Sequence, residues 1–196
     1  MYAKVENNQV VLVNSNLSVF GRRANSWTLE DRIANGVYEV EYDTSNLRDT
    51  EYYYNGNETF TYANGKVTAS YGVATAKALE DKNEVNKDGT PLLDIDGKQV
   101  VTKGLKSNHI ARIKAQAAGL LSSTDWYVIR NAEAQTAIPA NIATYRAAVR
   151  SKSNDMEALV NAVTSVDQLA ALYAYVNTGT EQAPVFARPI GEFPKL

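Results

Sequence analysis

Two hydrophobic rhythms divide this chain. Up to about residue 72 the apolar positions alternate with polar ones, and from about Lys106 they recur every three or four residues. Alternation with period two marks strands with one buried face, and three-and-four spacing marks amphipathic helices. In the first regime Ala3–Glu6 and Gln9–Val13 flank Asn7-Asn8, a connection suited to a tight hairpin. A short helix is predicted over Thr28–Ala34, with Thr28 as N-cap, Asp31 at the reciprocal capping position and Asn35-Gly36 as the stop. Strands are predicted at Val37–Tyr42, Glu51–Tyr54, Thr59–Tyr62 and Lys66–Tyr71, punctuated by Asn55-Gly56 and Asn64-Gly65. Asn-Gly favours the positive φ of a type I′ turn, so residues 37–72 read as an antiparallel meander.

Residues Ala74–Glu80 read as a short helical link. The turn signals Asn86–Gly89 and Asp96-Gly97 then bracket Pro91–Ile95 and outline another small hairpin, and the polar tract Lys82–Asp88 suits a boundary or mobile loop. In the second regime Ile110, Ile113, Ala117, Leu120 and Leu121 share one helical face, and Ile138, Ile142, Tyr145 and Val149 share another behind Pro139. Ser122 with Asp125 has capping-box spacing ahead of Trp126, and Asn154 with Glu157 and Ser165 with Gln168 mark two further helix starts. The last segment, Ala183–Leu196, holds three of the five prolines, which forbids helix and favours an extended arm carrying Phe186, Ile190, Phe193 and Leu196. The predicted fold is therefore α+β: a tyrosine-rich antiparallel region (1–81), a linker with a small hairpin (82–104), a helical bundle (105–178) and an extended C-terminal arm (179–196).

Composition sharpens this only in places. Eight of the twelve tyrosines precede residue 75. A net charge of −2, with neither half concentrating Lys and Arg, does not suggest a nucleic-acid module. Absence of cysteine removes disulfides, thiolate zinc sites and cysteine nucleophiles. No window approaches a membrane span, and no secretory leader is visible.

Candidate chemistry is sparse. His109 is the only histidine and reads as a surface or half-buried helix residue, with no nucleophile elbow to serve. Asp94–Gly97 opens like a calcium loop, but Lys98 occupies the third acidic position and no Glu closes it, so a turn is the simpler reading. Tyr52–Tyr54 offers stacking faces for a sugar, although strand alternation sends Tyr52 and Tyr54 one way and Tyr53 the other. Trp126 and Arg130 lie four apart on a predicted helix, so the guanidinium can cover the indole; Arg146 and Arg150 repeat the spacing, with Asp125 and Glu133 as available partners. Trp126 closing the helical core is the plain account, and a docking surface is the sharper one, because Trp, Tyr and Arg dominate interface hot spots. The arm is expected to dock either on its own bundle or, in an assembly, in a neighbour's groove.

The segment Leu120–Arg150 adds a resemblance. Leu120-Leu121, Thr124-Asp125-Trp126-Tyr127, Arg130 and Glu133, followed by Pro139, Tyr145-Arg146 and Arg150, resemble a module near the C-terminus of small tail-fibre-associated and baseplate-associated proteins of tailed bacteriophages. The lead-in Gly104–Lys106 and Ile110–Lys114, and the opening Met1–Val5, look like the same family. Asn14–Phe20 stands where the family has a proline-rich segment. The resemblance implies a non-enzymatic virion structural protein of the tail, which connects or attaches fibres by docking to other tail, baseplate or fibre proteins. It further implies multiple copies in a symmetric assembly, with no cofactor, metal, nucleic acid or membrane. Trp126, Arg130, Tyr145, Arg146, Arg150, Phe186, Ile190, Phe193 and Leu196 are the expected partner-binding residues. A fibre-assembly chaperone absent from the finished particle and a glycan-binding adhesin are the alternatives.

Overall fold

A computed structural model describes all residues, Met1–Leu196. The fold is mixed α+β, with a curled five-stranded sheet in the N-terminal half and helices in the C-terminal half. The chain divides into two compact units, Met1–Ala76 and Lys77–Leu196. The division thus falls after Ala76, whereas the sequence placed it after residue 81.

Unit 1 is built on strands β1 (Tyr2–Glu6), β2 (Gln9–Asn14), β3 (Val37–Asp43), β4 (Glu58–Ala63) and β5 (Lys66–Tyr71), in the spatial order β2-β1-β3-β5-β4. Asn7 and Asn8 close the first hairpin with φ of 50° and 62°, and Asn64 and Gly65 close β4–β5 with φ of 51° and 78°, as the type I′ geometry requires. The helix α1 (Leu29–Ala34) is capped by Thr28, whose hydroxyl accepts from the Asp31 amide, and it ends at Asn35 before Gly36 at φ 65°.

The meander expected over residues 37–72 does not form. β3 pairs with β5 in parallel, Val40 opposite Val67 through Asp43 opposite Ser70, and β4 lies outside β5. The segment around Asn55-Gly56 is not a hairpin: Tyr53–Tyr54 pairs with Thr75–Ala76, not with β4. Gly56 is there for a close approach, since a Cβ on it would sit 2.6 Å from the backbone of Gly72. The Ala74–Glu80 helix is also absent. That stretch stays extended, with Thr75–Ala76 paired to Tyr53–Tyr54 and the carbonyls of Ala78 and Leu79 serving another helix.

The register puts Ala3, Val5, Val40, Val67 and Ala69 inside the curl, with Val10, Val13, Tyr38, Phe60 and Tyr62 packed on them. The half-buried Tyr62 donates its hydroxyl to that of half-buried Tyr38 at 2.9 Å, which gives each polar tip a partner. On the outer face, residues 15–27 fold over the sheet and bury Leu17, Ala24 and Trp27 against Val37 and Tyr2.

Unit 2 opens with a three-segment ribbon. Lys82–Asn83 pairs with Val101–Thr102, and Pro91 and Leu93 bridge to Val85 and Gln99. The Gln99 amide donates to the carbonyls of Glu84, Leu92 and Val100, so the tract read as linker or mobile loop is paired throughout its first half. The turn reading of Asp94–Gly97 holds: the Asp94 carboxylate accepts from the amides of Asp96 and Lys98.

Helices α2 (Leu105–Ser122), α3 (Asp125–Ala134), α4 (Ala140–Ala162) and α5 (Val166–Tyr173) follow. The N-terminal amides of α2 are met by the chain before the ribbon. Leu105 and Lys106 donate to the Ala78 and Leu79 carbonyls, and Gly104 donates to the Asp81 carboxylate. Lys103 and Ser107 also bond Asp81, and these partners, the Lys103 bond foremost, bring its pKa down to about 2. Gly104 packs so closely on Glu80 and Leu79 that a side chain has no room.

Two capping expectations fail. α4 runs unbroken through Asn154, where Ser153 bonds the Glu157 carboxylate within the helix instead of a new helix starting. Ser122 is not an N-cap: its hydroxyl donates back to Gly119, and Thr124 precedes α3. The Ser165 cap on α5 does form, bonded by the Gln168 amide, while the Gln168 side chain accepts from Thr164. His109, read as a surface or half-buried residue, is buried at 1% exposure beside the Tyr173 ring and the Arg112 guanidinium. Its neighbours Leu105 and Ile113 on the same helical face are buried too.

Candidate interaction surface

The corner between α2 and α3 is assembled from hydroxyls. Ser122, Ser123 and Thr124 each donate to the carbonyl three residues back, at Gly119, Leu120 and Leu121. A helix C-terminus leaves its last carbonyls short of partners, and the Leu121 carbonyl also accepts from the Thr124 amide. Arg146, reaching across from α4, completes the corner. One guanidinium nitrogen donates to the Leu121 carbonyl at 2.8 Å and to the Thr124 hydroxyl at 2.7 Å, and the other meets the Asp125 carboxylate at 2.8 Å. Arg146 is 6% exposed and Thr124 2%, so the planar fork of the guanidinium is matched to three acceptors in a nearly dry corner.

That corner launches α3 outward. None of its ten residues is buried, and Trp126 (49% exposed), Val128 and Ile129 (55%) face solvent. The plain expectation that Trp126 closes the helical core is therefore overturned. The Trp126–Arg130 contact does form: the Arg130 guanidinium carbon lies 4.9 Å from the indole centroid and 6.0 Å from the Tyr127 ring. Trp126, Ile129, Arg130 and Glu133 share one face by helical spacing. Ile129 and Val128 were not singled out from sequence, although Ile129 stands three residues from Trp126 and the spacing alone could have found it.

The other expected residues separate by depth. Tyr145 is buried with Ala117 and Val149 in the core between α2 and α4, and Arg150 is exposed beside a shallow cleft that Lys114 also lines. The arm folds back on its own unit. Val176–Asn177 pairs with Phe186–Ala187, and the Ile190 amide donates to the Leu172 carbonyl. Ile190 is 2% exposed, and Phe193 packs against the Ala117, Tyr145 and Val149 cluster. Arg188 grips Glu192 through two bonds, of 2.8 and 2.6 Å, and lies over Tyr175. Ile190 is thus a core residue of unit 2 and Phe193 is half-buried against that core, a correction to the expectation that both reach a partner. Phe186 and Leu196 remain outside, 63% and 70% exposed, and Tyr175, Val176 and Val185 beside Phe186 are exposed apolar positions that sequence reading missed.

The tyrosine triplet offers less stacking surface than its composition promised. Tyr52 is 5% exposed, Tyr53 is covered by Arg48 with its guanidinium carbon 4.5 Å from the ring centroid, and only Tyr54 is open to solvent. No helix is long and apolar enough to cross a membrane. Compared with models of protein families, with curated proteins and with solved structures, the chain matches none.

Proposed function

We propose that this chain is a structural protein of a tailed-phage virion, a tail or baseplate component that attaches fibres by protein–protein docking through the exposed face of α3. The observation that carries the docking part is the position of Trp126, Ile129 and Arg130. They stand on a helix with no buried side chain, held by a buried guanidinium rather than by an apolar core. Short helices are marginal without tertiary burial, so a helix that displays Trp, Ile and Arg outward is a surface prepared for a partner. The phage context rests on the resemblance of Leu120–Arg150, in which Trp126 and Arg130 are named positions and Ile129 is not. Arg146 serves the surface by placing α3, not by touching the partner, and no cofactor enters the reading.

Quantitative mass spectrometry of purified particles tests it, comparing wild type with Trp126→Ala and Arg130→Ala. Stoichiometric presence of the wild type, at a copy number matching tail symmetry, with sharply reduced incorporation of both variants, is the expected outcome. Abundance in infected lysate with absence from particles makes the chain an assembly chaperone, and full incorporation of both variants removes α3 as the docking face.

A further inference from the structure

Three Asn-Gly pairs occur in this chain, and the fold treats them differently. At Asn35-Gly36 the Asn35 amide donates to the Asp31 carbonyl, and the Gly36 N–H donates to the Ile33 carbonyl. At Asn55-Gly56 the Asn55 side chain is held twice, accepting from the Arg48 amide and donating to the Arg48 carbonyl, both at 2.9 Å, while Gly56 is wedged on Gly72. Asn64-Gly65 is the open pair. Both residues are exposed at the tip of a two-residue turn, the Asn64 side chain makes no hydrogen bond, and no atom beyond its chain neighbours stands within 4 Å of where a Gly65 Cβ would be.

We propose that Asn64 is a site of spontaneous covalent modification, converted by water to an aspartyl or isoaspartyl residue through a succinimide. The Gly65 amide nitrogen bonds to the Asn64 side-chain carbonyl carbon, the carbon–nitrogen bond of the side-chain amide breaks, and ammonia leaves carrying the Gly65 amide proton. Water then opens the ring at either carbonyl, giving a carboxylate at position 64 on the normal or on a lengthened backbone. Glycine makes this possible because no side chain shields the attacking nitrogen. The lengthened product adds a backbone atom to a turn whose two residues both need positive φ, and a two-residue I′ loop has no slack for it. The reaction therefore loosens β4–β5 from its tip and places a new charge two residues from Lys66, which pairs with Glu41.

Hydrogen bonding sets the expected selectivity. One ordinary net hydrogen bond corresponds to about a fivefold factor, so the two that restrain Asn55 slow it by roughly 25-fold relative to Asn64. The full folded chain is incubated at mildly alkaline pH and digested with trypsin, which releases one peptide, residues 49–66, carrying both sites. Fragment spectra then assign the acid. Conversion at Asn64 well ahead of Asn55 and Asn35, with the difference collapsing when the same incubation is run in denaturant, is the expected result. Equal rates at Asn55 and Asn64 in the folded chain, or an Asn64→Gln variant whose peptide still gains acid at the wild-type rate, overturns the assignment.

Discussion

Replacing Arg146 with alanine tests the α2–α3 corner most directly. The substitution strips donors from the Leu121 carbonyl and the Thr124 hydroxyl, and Thr124 is almost fully buried. A hydrogen bond to a charged group is worth about 1.5–3 kcal/mol net. The Asp125 partner is 53% exposed, so that ion pair adds only about 0–1 kcal/mol. One buried and one part-buried charge-assisted bond, at that worth each, then imply a loss of about 3–6 kcal/mol. With a urea slope of about 2 kcal/mol/M, the unfolding midpoint of unit 2 falls by roughly 2 M. Far-UV circular dichroism follows this unit, because α2 to α5 supply nearly all the helix. Arg146→Lys, which presents a point charge instead of a fork, recovers only part of the loss. Asp125→Asn stays within about 1 kcal/mol of wild type. A cycle with Thr124→Val should return a coupling of about 1 kcal/mol or more. An Arg146→Ala loss below about 1 kcal/mol refutes the reasoning, because water would then be replacing the guanidinium in a corner described as dry.

Three further outcomes follow from the same geometry. Asp81 titrates at about 2 in the folded chain, below its ordinary 3.8, so its stabilisation of the α2 start is present above pH ~4 and is lost as pH falls through about 2; Asp81→Asn should flatten that part of the acid-unfolding curve. Ile190→Ala should cost about 2–5 kcal/mol in the unfolding of unit 2, as a large-to-small change at a fully buried site does, and an unchanged midpoint would mean the arm is not part of the core. Gly104→Ala keeps an acceptable φ of −78° but drives a methyl into the Leu79 and Glu80 carbonyls, for a loss of about 1–3 kcal/mol visible as a lower melting temperature.

Local chemistry was legible in the sequence, and pairing between distant segments was not. Asn7-Asn8, Asn64-Gly65, Thr28 with Asp31, and Ser165 with Gln168 each act within a few residues, and each forms what its residue types favour. Asn55-Gly56 carries the same turn signal, but Tyr53–Tyr54 finds its partner at Thr75–Ala76, and no local rule encodes that choice. The parallel β3–β5 pairing was hidden for the same reason, since alternation reports that a strand has an inner face without saying which strand lies beside it. Asn154 with Glu157 looked like a helix start because cap-forming residues are also tolerated within a long helix that is held by its buried face.

The candidate surface was half legible. Spacing gave the Trp126–Arg130 contact, yet nothing in the spacing tells an outward helix from an inward one. The buried guanidinium that decides the matter comes from Arg146 on a different helix. In the arm, the prolines correctly ruled out helix, while the depth of Ile190 and Phe193 depended on a groove that exists only once α2 and α4 have packed.

The parallel seam in unit 1 has a kinetic meaning. β1–β2 and β4–β5 are each closed by a two-residue turn, and hairpins of this kind assemble in microseconds. β3 lies between them, joined to β5 by four parallel residue pairs and to β1 by three antiparallel ones, each across a long excursion of the chain, so both of its seams carry a higher loop-closure entropy than either hairpin. The sheet is in effect two prefabricated ribbons with a late weld. When it opens in the native state it should open at a seam of β3 first, and each hairpin should part as one piece, with the amides of β4–β5 exchanging together and those of β1–β2 together.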